Sequence, residues 1–401
     1  MVLVHLAQII IYQIMAKIHI TLIGGQAMPV YIGIKVSDAT LFILIHSNRT
    51  EAIADIIEKD IKEEKPQASA RKILMDSSDI VKIQSAITEL LDCYSDCQIE
   101  ANITSGTKPW SIALAMQAAE RRNMTLFYID QNCRIFNYND LTEKTIDSIE
   151  GGISQILKYN LNQSQSHNDF ESYTQEDYEL LDKIKAVRKK YPRIFNELTI
   201  PNETNKNRFS NNLVDHLYDS SRCSEIYWDR RNGRRQEVRM LFMDKFGRKE
   251  EVTLASPHAF DLVTSSGWFE CEVAEILKSW PKCKEIWMNV KFPYKNNNPK
   301  NEIDVIVNTG VKLLFIECKT QIFDNTDIDK FASAVKNYGG MGTKSLFITM
   351  GPMSEQAVEK CSTNGVMSYS MYSMLNGLLC PNGKKRLFEM LNNTLFDSNT
   401  K

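Results

Sequence analysis

Residues 301–319 read NEIDVIVNTGVKLLFIECK and decide how the C-terminal part of the chain folds. The apolar runs on either side of Asn308-Thr309-Gly310 predict two β-strands joined by a tight turn. Side chains two apart on a strand share a face, so Glu317 and Lys319 point the same way and Cys318 points the other way. Pairing across the turn then brings Asp304 close to Glu317, provided that the strand bends or carries a bulge.

The alternative for Glu317 and Lys319 is a surface ion pair, which is the usual role of these residue types at this spacing. Residues 313–316 (Leu-Leu-Phe-Ile) run directly into Glu317, however, which indicates a buried strand with a polar end. We therefore favour a functional role for the carboxylates and the ammonium group.

A predicted helix from Trp268 to Ser279 supplies a third carboxylate. A serine that precedes Gly267 is available as its N-cap. Glu270 falls on the helix face that also carries Val273, Ala274 and Leu277, because positions i, i+3, i+4 and i+7 are neighbours. An unpaired charge on a core-facing stripe is costly, so Glu270 needs a partner, and a divalent cation is a natural one.

This set of residue types suits phosphodiester hydrolysis. Carboxylate oxygens bind Mg²⁺ or Mn²⁺, and the metal activates a water and stabilises charge in the transition state. A lysine beside the metal orients the water and offsets negative charge. The sequence therefore predicts a metal-dependent nuclease site at Glu270, Asp304, Glu317 and Lys319.

Asp304 followed by Glu317-Cys318-Lys319 resembles the PD-(D/E)XK signature of restriction-endonuclease-like nucleases. The stretch Gly267-Trp268-Phe269-Glu270 resembles the preceding helix in one branch of that superfamily. The resemblance implies that Asp304 and Glu317 hold the metal, that Glu270 completes the metal site and that Lys319 is catalytic. Ile303 stands where the superfamily often has proline.

The first ~150 residues alternate strand and helix patterns, which predicts an α/β fold with a parallel sheet covered by helices on both faces. The predicted strands cover residues 17–23, 39–46, 98–104 and 125–130. One predicted helix carries the isoleucines from Ile53 to Ile61 on one face. Two further predicted helices cover residues 79–94 and 109–122. Ligands bind at the carboxyl ends of the strands in such sheets.

Two turns at that sheet edge carry small and hydroxyl residues. Residues 102–109 (NITSGTKP) follow a strand and open a helix, which is a favourable site for an anion, although a plain strand-to-helix turn is equally compatible. Residues 24–29 (GGQAMP) follow the first strand. Together they resemble CARF domains, the Rossmann-like sensors of CRISPR ancillary proteins, with Ser105 in place of a usual glycine. The resemblance implies that the ligand, a cyclic oligoadenylate, is faced by Gly25, Gln26, Ser47, Thr104, Ser105, Gly106, Thr107 and Lys108.

The middle of the chain begins with a polar stretch, residues 159–177, that indicates a linker. We expect helices at 175–191 and around 213–221, then a hairpin of strands 225–229 and 237–244 around Asn232-Gly233. Arginines and lysines cluster here. They either bind the phosphates of a nucleic acid or are the solvated charges of an exposed hairpin. Tyr227, Trp228 and Phe246 either stack on bases or pack in the core. The cluster contains Arg222, Arg230, Arg231, Arg234, Arg235, Arg239, Lys245, Arg248 and Lys249.

The composition indicates a globular protein. Its net charge is −2 over 401 residues, so the surface as a whole carries no excess of positive charge. Nine cysteines without zinc spacing fit a reduced, cytoplasmic protein. No transmembrane span is predicted, and we expect Met15 to be the natural start. The predicted domains are a sensor at 1–158, a helical module with a hairpin wing at 159–250 and a nuclease at 251–401.

A CARF domain joined to a PD-(D/E)XK domain resembles the CARF-fused CRISPR ancillary nucleases, which act in type III antiviral defence. The resemblance implies a homodimer switched on by cyclic tetra-adenylate and a nucleic-acid substrate: single-stranded DNA, RNA or both, with duplex DNA also possible. Two alternatives stay open on sequence: a ligand-sensing transcription regulator with structural carboxylates, and a nuclease without regulation.

Overall fold

The computed structural model describes most of the chain. The described residues are 17–26, 28–130, 134–146, 152–191, 195, 198, 203–219, 224–243, 246–264, 266–293, 299–310, 312–320, 325–340, 342–371 and 382–396. Met15, Arg222 and Lys245 lie outside them. Within these residues no helix is long and apolar enough to cross a membrane.

The N-terminal sheet has seven strands in the order β3-β2-β1-β4-β5-β6-β7, of which the first five are parallel. Its strands are β1 (Lys17–Leu22), β2 (Leu41–His46), β3 (Ser69–Leu74), β4 (Gln98–Asn102), β5 (Met124–Ile129), β6 (Arg134–Asn137) and β7 (Glu143–Thr145). Its helices are α1 (Met28–Val36), α2 (Glu51–Glu64), α3 (Ile80–Asp92) and α4 (Lys108–Glu120). Buried residues fill both faces, so the predicted parallel sheet with helices on both sides is confirmed.

Four elements of this domain were not predicted from the sequence. The edge strand β3 is half-exposed and polar, and helix α1 is apolar and buried nearly all round, so it shows no amphipathic stripe. The hairpin of β6 and β7 is antiparallel and mostly exposed. Weak local patterns of this kind are decided by pairing with the rest of the sheet.

The middle of the chain forms a four-stranded antiparallel sheet in the order β12-β11-β10-β9. Its elements are α6 (Gln175–Lys190), α7 (Glu203–Asn211), β9 (Val214–Asp219), β10 (Ser224–Asp229), β11 (Gln236–Met243) and β12 (Lys249–Ser256). The predicted hairpin is present, as β10 and β11 pair in register. The predicted helix around 213–221 is wrong, because residues 214–219 are strand β9 and pair with β10. Pairing opposite Ile226 places Leu217 in the sheet and overrides the local preference.

The third sheet has six strands in the order β17-β16-β15-β14-β13-β8. Its strands are β8 (Ser166–Asp169), β13 (Glu285–Pro293), β14 (Pro299–Asn308), β15 (Leu313–Lys319), β16 (Lys344–Thr349) and β17 (Met367–Ser370). The remaining helices are α5 (Ile153–Tyr159), α8 (Ala259–Val263), α9 (Gly267–Lys278), α10 (Thr326–Tyr338), α11 (Glu355–Thr363) and α12 (Gly383–Leu395).

Two predicted boundaries differ from this arrangement. Strand β8 comes from the stretch that we expected to be a linker, yet it pairs with β13. Strand β12 crosses the expected boundary at residues 250 and 251 and completes the middle sheet. The middle segment is therefore a small sheet with flanking helices rather than a helical module with a wing. It packs on the third sheet, because Trp228 and Met240 share one core with Phe269.

Two cores cover the two faces of the third sheet. The C-terminal core contains Ile316 and Cys318 of β15 together with Val273 of α9. The shared core contains Phe315 of β15 together with Phe331 of α10, and it extends to helices α1 and α2 of the N-terminal domain. The two end domains are therefore joined by one continuous body of buried side chains.

Candidate functional site

Asp304, Glu317 and Lys319 lie where strands β14 and β15 separate. The two strands pair from Asn308 opposite Leu313 to Val305 opposite Ile316. One step further, Asp304 Oδ2 accepts a hydrogen bond of 2.7 Å from the backbone N–H of Cys318. A side-chain oxygen thus takes the place of a backbone acceptor at this point. The two carboxylates of the strands are brought together as the sequence predicted.

Glu317 and Lys319 share one face of β15, with Cys318 on the other. The Lys319 ammonium donates to Glu317 Oε1 at 2.5 Å. Cys318 is buried in the C-terminal core, so the two charged side chains point toward the opposite face. Their side chains are only 14% and 31% exposed, which excludes an ordinary solvated ion pair.

The bend that was expected near Asp304 is visible in the side-chain alternation of β14. Val305 and Val307 lie in the C-terminal core, whereas Ile303 and Ile306 lie in the shared core. Ile303 should face the same side as Val305 in a regular strand, so the alternation skips one step beside Asp304. This irregularity moves the Asp304 carboxylate into the gap between the strands.

Glu270 is buried in the first turn of α9, on the stripe with Val273, Ala274 and Leu277. Ser266 precedes the helix with φ of 69° and makes no side-chain cap bond, so Ser266 does not cap it, and Ser265 lies outside the described residues. Its hydroxyl instead lies 3.3 Å from Thr320 Oγ1, just after Lys319. A Cβ at Gly267 would lie 2.0 Å from the Asp261 carbonyl oxygen, so only glycine fits there.

Asn289 of β13 contacts this site, and sequence reasoning missed it. Its Nδ2 donates to Glu270 Oε2 at 2.9 Å. The residue has φ of 51° inside a strand. A polar residue within the apolar run Ile286 to Val290 was the available signal, but one strand position alone does not identify a partner.

The pKa values of these groups are shifted strongly. Burial, followed by the charges of Glu317 and Glu270, holds the pKa of Asp304 well above its usual range. Burial raises the pKa of Glu270 to about 7, against the hydrogen bond from Asn289. Burial also raises the pKa of Glu317, while Lys319 opposes the rise. For Lys319, burial is outweighed by Asp304 and Glu317, and its pKa is raised. The carboxylates therefore have too little positive charge around them.

The donor set fits a hard divalent cation in part. Among the described residues, no three His, Cys, Asp or Glu side chains form a group arranged to hold a metal ion. Mg²⁺ and Mn²⁺ commonly bind through one or two carboxylates and complete their shell with water and substrate phosphate. The pair Asp304 and Glu317 meets that requirement. Glu270 approaches from the α9 side, where it bonds Asn289 rather than the strand pair.

The N-terminal loops predicted to face a ligand lie against each other. Ser105 is buried, and its hydroxyl accepts a hydrogen bond of 3.0 Å from the Gly24 backbone N–H. A Cβ on Gly24 would lie 2.3 Å from the Gly106 nitrogen, and Gly106 itself has φ of +91°. The loops after β1 and β4 therefore form one surface. The Ser105 hydroxyl joins them, so it does not point outward as the resemblance implied.

The remaining predicted residues of this site are placed around the two loops. Thr104 Oγ1 donates to Asn102 Oδ1 and accepts from the Ile129 N–H, which holds the loop to β5. Thr107 begins helix α4, and its hydroxyl is buried without a hydrogen-bond partner in the described part of the chain. Ser47 Oγ lies 3.3 Å from Thr50 Oγ1 in the neighbouring loop. Exposed at the surface are Gly25, Gln26, Gly106 and Lys108.

The basic hairpin divides into structural and exposed residues. Arg230 donates to the Phe209 and Ser210 carbonyls at the end of α7 and has a structural role. Trp228 is fully buried, whereas Phe246 is 71% exposed. Three further arginines pair with acidic side chains: Arg231 with Asp229, Arg235 with Glu176 and Arg239 with Glu237.

Comparison with known proteins agrees with this division of the chain. Residues 18–159 match the family model of the Card1 CARF domain, and residues 259–365 match that of the Card1-like endonuclease domain. No curated protein matches the sequence of the chain.

Two solved structures share the fold over nearly the whole chain. The structure of Can2 from Sulfobacillus thermosulfidooxidans in complex with cyclic tetra-adenylate has a TM-score of 0.62 at 17% identity, covering 95% of this chain and 100% of that one. The structure of protein VC1899 from Vibrio cholerae has a TM-score of 0.65 at 14% identity, covering 93% and 97%. At these identities the likeness establishes the fold.

The fold and the two sites define a protein with a Rossmann-like sensor domain joined to a restriction-endonuclease-like nuclease domain. The chain carries a Card1 CARF domain followed by a Card1-like endonuclease domain. The resemblance stated from the sequence is thereby confirmed for both end domains. The match to an endonuclease domain does not support the alternative interpretation, a transcription regulator whose carboxylates are structural.

Proposed function

We propose that this protein is a divalent-metal-dependent nuclease that cyclic tetra-adenylate switches on, acting in type III CRISPR antiviral defence. The observation that carries the proposal is the pair of partly buried carboxylates, Asp304 and Glu317, at the opening between β14 and β15 of the endonuclease domain. The CARF domain and the bound cyclic tetra-adenylate in the Can2 structure support the activator.

Each residue of the nuclease site has a proposed role. Asp304 and Glu317 would hold Mn²⁺ or Mg²⁺, with Glu270 completing the site, and the bound metal would supply Lewis acidity and lower the pKa of a water molecule. The Cys318 N–H fixes the Asp304 carboxylate. Lys319 is catalytic: it stays protonated beside Glu317 and offsets charge on the scissile phosphate.

The sensor site combines backbone N–H groups with hydroxyls. A helix N-terminus is a favourable position for a phosphate, and the unpartnered Thr107 hydroxyl lies at the start of α4. Lys108, one residue further, adds a positive charge at the surface. The loops around Gly24 and Gly106 pack too closely to admit a Cβ at either glycine, so the surface that they form has a fixed shape. These features support binding of a phosphate-linked ring.

Helix α5 is the proposed route between the two sites. On the sensor side, buried Asp60 of α2 accepts hydrogen bonds from Gln155 at 2.7 Å and from the Tyr159 hydroxyl at 2.8 Å. On the nuclease side, Glu285 of β13 accepts from the Ile153 N–H at 2.6 Å, and Asn160 donates to the Gly339 carbonyl at 2.7 Å. One short helix thus touches α2, β13 and the end of α10.

Dimerisation is proposed on the sensor domain. Three apolar side chains of α3 and α4 are largely in water: Ile80 is 71% exposed, Val81 79% and Ile112 59%. Helices α3 and α4 pack on each other, so these side chains lie on neighbouring elements. Exposed apolar groups on adjacent helices are typical of a subunit interface. A homodimer with a ligand shared between two sensor domains agrees with this surface.

The test is a cleavage assay on the purified full chain. Labelled single- and double-stranded DNA and RNA are incubated with Mn²⁺, with Mg²⁺ or with chelator, each with and without cyclic oligoadenylates of every ring size. We expect cleavage that needs the metal and that rises with cyclic tetra-adenylate. Equal cleavage without any cyclic nucleotide would indicate an unregulated nuclease, and cleavage of no substrate under any condition would contradict the proposal.

A further inference from the structure

Asn289 occupies an irregular position directly across from Asp304. On its two sides, Met288 pairs with Val305 and Val290 pairs with Ile303. The pairing of β13 with β8 shifts register between Met288 and Lys291, so β13 carries an extra residue there. A bulge of this kind redirects a side chain that a regular strand would point elsewhere.

The backbone at Asn289 is held in a conformation that most residues avoid. Its φ is 51°, and asparagine is one of the few residues that adopt the left-handed region at modest cost. Ser266, four residues before Glu270, is also left-handed, with φ of 69°. Both positions contact the nuclease site, and left-handed residues in a strand and before a helix tend to persist where the surroundings require them.

Three side chains fix the direction of the Asn289 amide. Its Oδ1 faces the Asn168 Nδ2 at 3.2 Å and the Tyr173 hydroxyl at 3.5 Å. Its Nδ2 is thereby turned to Glu270 Oε2, which lies 2.9 Å away. An ionised carboxylate only accepts hydrogen bonds, so the donor end of the amide must be the one that faces it.

We propose that Asn289 is a positioning residue for the nuclease site: it orients the Glu270 carboxylate for the metal that Asp304 and Glu317 hold. This inference rests on the proposed function. Glu270 sits on α9 and the other two carboxylates sit on strands, so a group is needed that connects the helix to the sheet. Asn289 is next to Asp304 in the sheet and bonds Glu270 on the helix. Strand β8, which brings Asn168, is thereby part of the site's support.

The test uses two substitutions that keep the backbone conformation. Asn289→Gly retains the left-handed φ and removes the amide. Asn289→Asp retains the shape and places a second carboxylate beside Glu270. We measure Mn²⁺ binding by titration calorimetry, and kcat, KM and the half-saturating Mn²⁺ concentration in cleavage. Outer partners of metal ligands commonly change affinity or activity by roughly 10- to 100-fold, and we expect losses of that size in kcat and in Mn²⁺ affinity, with KM for nucleic acid unchanged.

The matched control is Asn382→Gly, because Asn382 is a second left-handed asparagine, with φ of 61°, at the start of α12. It is expected to leave all four quantities within twofold of wild type. If Asn289→Gly proves too unstable, Asn289→Asp and Tyr173→Phe are measured in its place. Wild-type values of Mn²⁺ affinity and kcat in the Asn289 variants would overturn the inference. Absence of cleavage by the wild type would contradict the proposed function, while the Mn²⁺ isotherms would still test Asn289.

Discussion

Partly buried carboxylates are held in opposite ways in the sensor domain and in the nuclease domain. Glu100 of β4 lies 2.9 Å from His19 Nδ1 and 2.8 Å from Lys17 Nζ, and it also accepts from Ser37. These contacts outweigh burial and lower the pKa of Glu100 to about 2. Burial and the nearby Glu317 and Glu270 instead raise the pKa of Asp304.

The difference separates carboxylates that stabilise the fold from carboxylates that the fold tolerates. A buried acid with basic and hydroxyl partners favours its charged form and adds stability. A buried acid beside other acids disfavours its charged form and lowers stability unless a cation is bound. Residues kept at such a cost are characteristic of functional sites. Each substitution below therefore alters a residue in one of these two groups of carboxylates, or a residue outside both.

The largest effect is expected on the nuclease side. Asp304→Asn and Glu317→Gln each remove a metal ligand, which is worth several kcal/mol in the transition state, so cleavage should fall on the order of 10³-fold. Cleavage of labelled substrate with Mn²⁺ and activator measures this. The matched control is Glu359→Gln in helix α11, whose exposed side chain should tolerate the change with activity within about twofold.

The same Asp304→Asn variant should be more stable than the wild type in the absence of metal. The amide oxygen still accepts from the Cys318 N–H, while the charge that Glu317 and Glu270 disfavour is gone. We expect a gain of about 1 kcal/mol in the free energy of unfolding, measured by urea denaturation with chelator present. A variant less stable than the wild type would show that the Asp304 carboxylate stabilises the fold, as the Glu100 carboxylate does.

The next effect is expected at the contact between the two domains. Tyr159→Phe removes the hydrogen bond to Asp60, and allosteric coupling is typically worth a few kcal/mol, so the activation factor should fall roughly tenfold. Cleavage without activator should stay the same. The ratio of cleavage rates with and without cyclic tetra-adenylate is the measurement, and Tyr138→Phe, at an exposed position, is the control. An unchanged ratio would exclude α5 as the route.

On the sensor side the expected change is in stability and depends on pH. The pKa of Glu100 is lowered from 4.5 to about 2, so its contribution is fully present above pH 4.5 and is lost as the pH falls toward 2. Glu100→Gln should therefore lower the free energy of unfolding by about 2–3 kcal/mol at pH 7 and by progressively less toward pH 3. Denaturation curves at several pH values test this, and a constant difference would contradict it.

The smallest effect is expected for Arg234, a surface charge that belongs to neither group of carboxylates. Arg234 lies in the exposed turn between β10 and β11. If the hairpin contacts the substrate backbone, Arg234→Gln should raise KM roughly twofold to threefold and lower the salt dependence of binding by about one charge. Binding measured at several salt concentrations decides between this role and a solvated hairpin, for which the slope would not change.

The strand pair of residues 301–319 and the Glu270 stripe were predictable because both depend on local periodicity. Two strands around a turn, and a carboxylate at a fixed spacing from Val273 and Leu277, are visible in any short window of sequence. The loops around Gly24 and Gly106 were found by their residue types at strand ends. Their contact through Ser105 was not, because it joins positions 81 residues apart.

The parts that sequence reasoning missed depend on distant pairing. Residues 214–219 form a strand because β10 lies beside them, and β8 joins the nuclease sheet across more than a hundred residues. The hydrogen bond of Asn289 with Asn168 spans 121 positions. Local patterns carry no information about which distant segments meet, and tertiary contacts override weak propensities.

Titration of Mn²⁺ into the metal-free protein, followed by calorimetry, tests most directly whether the carboxylates of Asp304 and Glu317 form a metal site. We predict that the wild type and Glu100→Gln bind the ion with the same affinity, and that Asp304→Asn shows no binding in the same concentration range. Equal binding by Asp304→Asn and the wild type would contradict the assignment of the site.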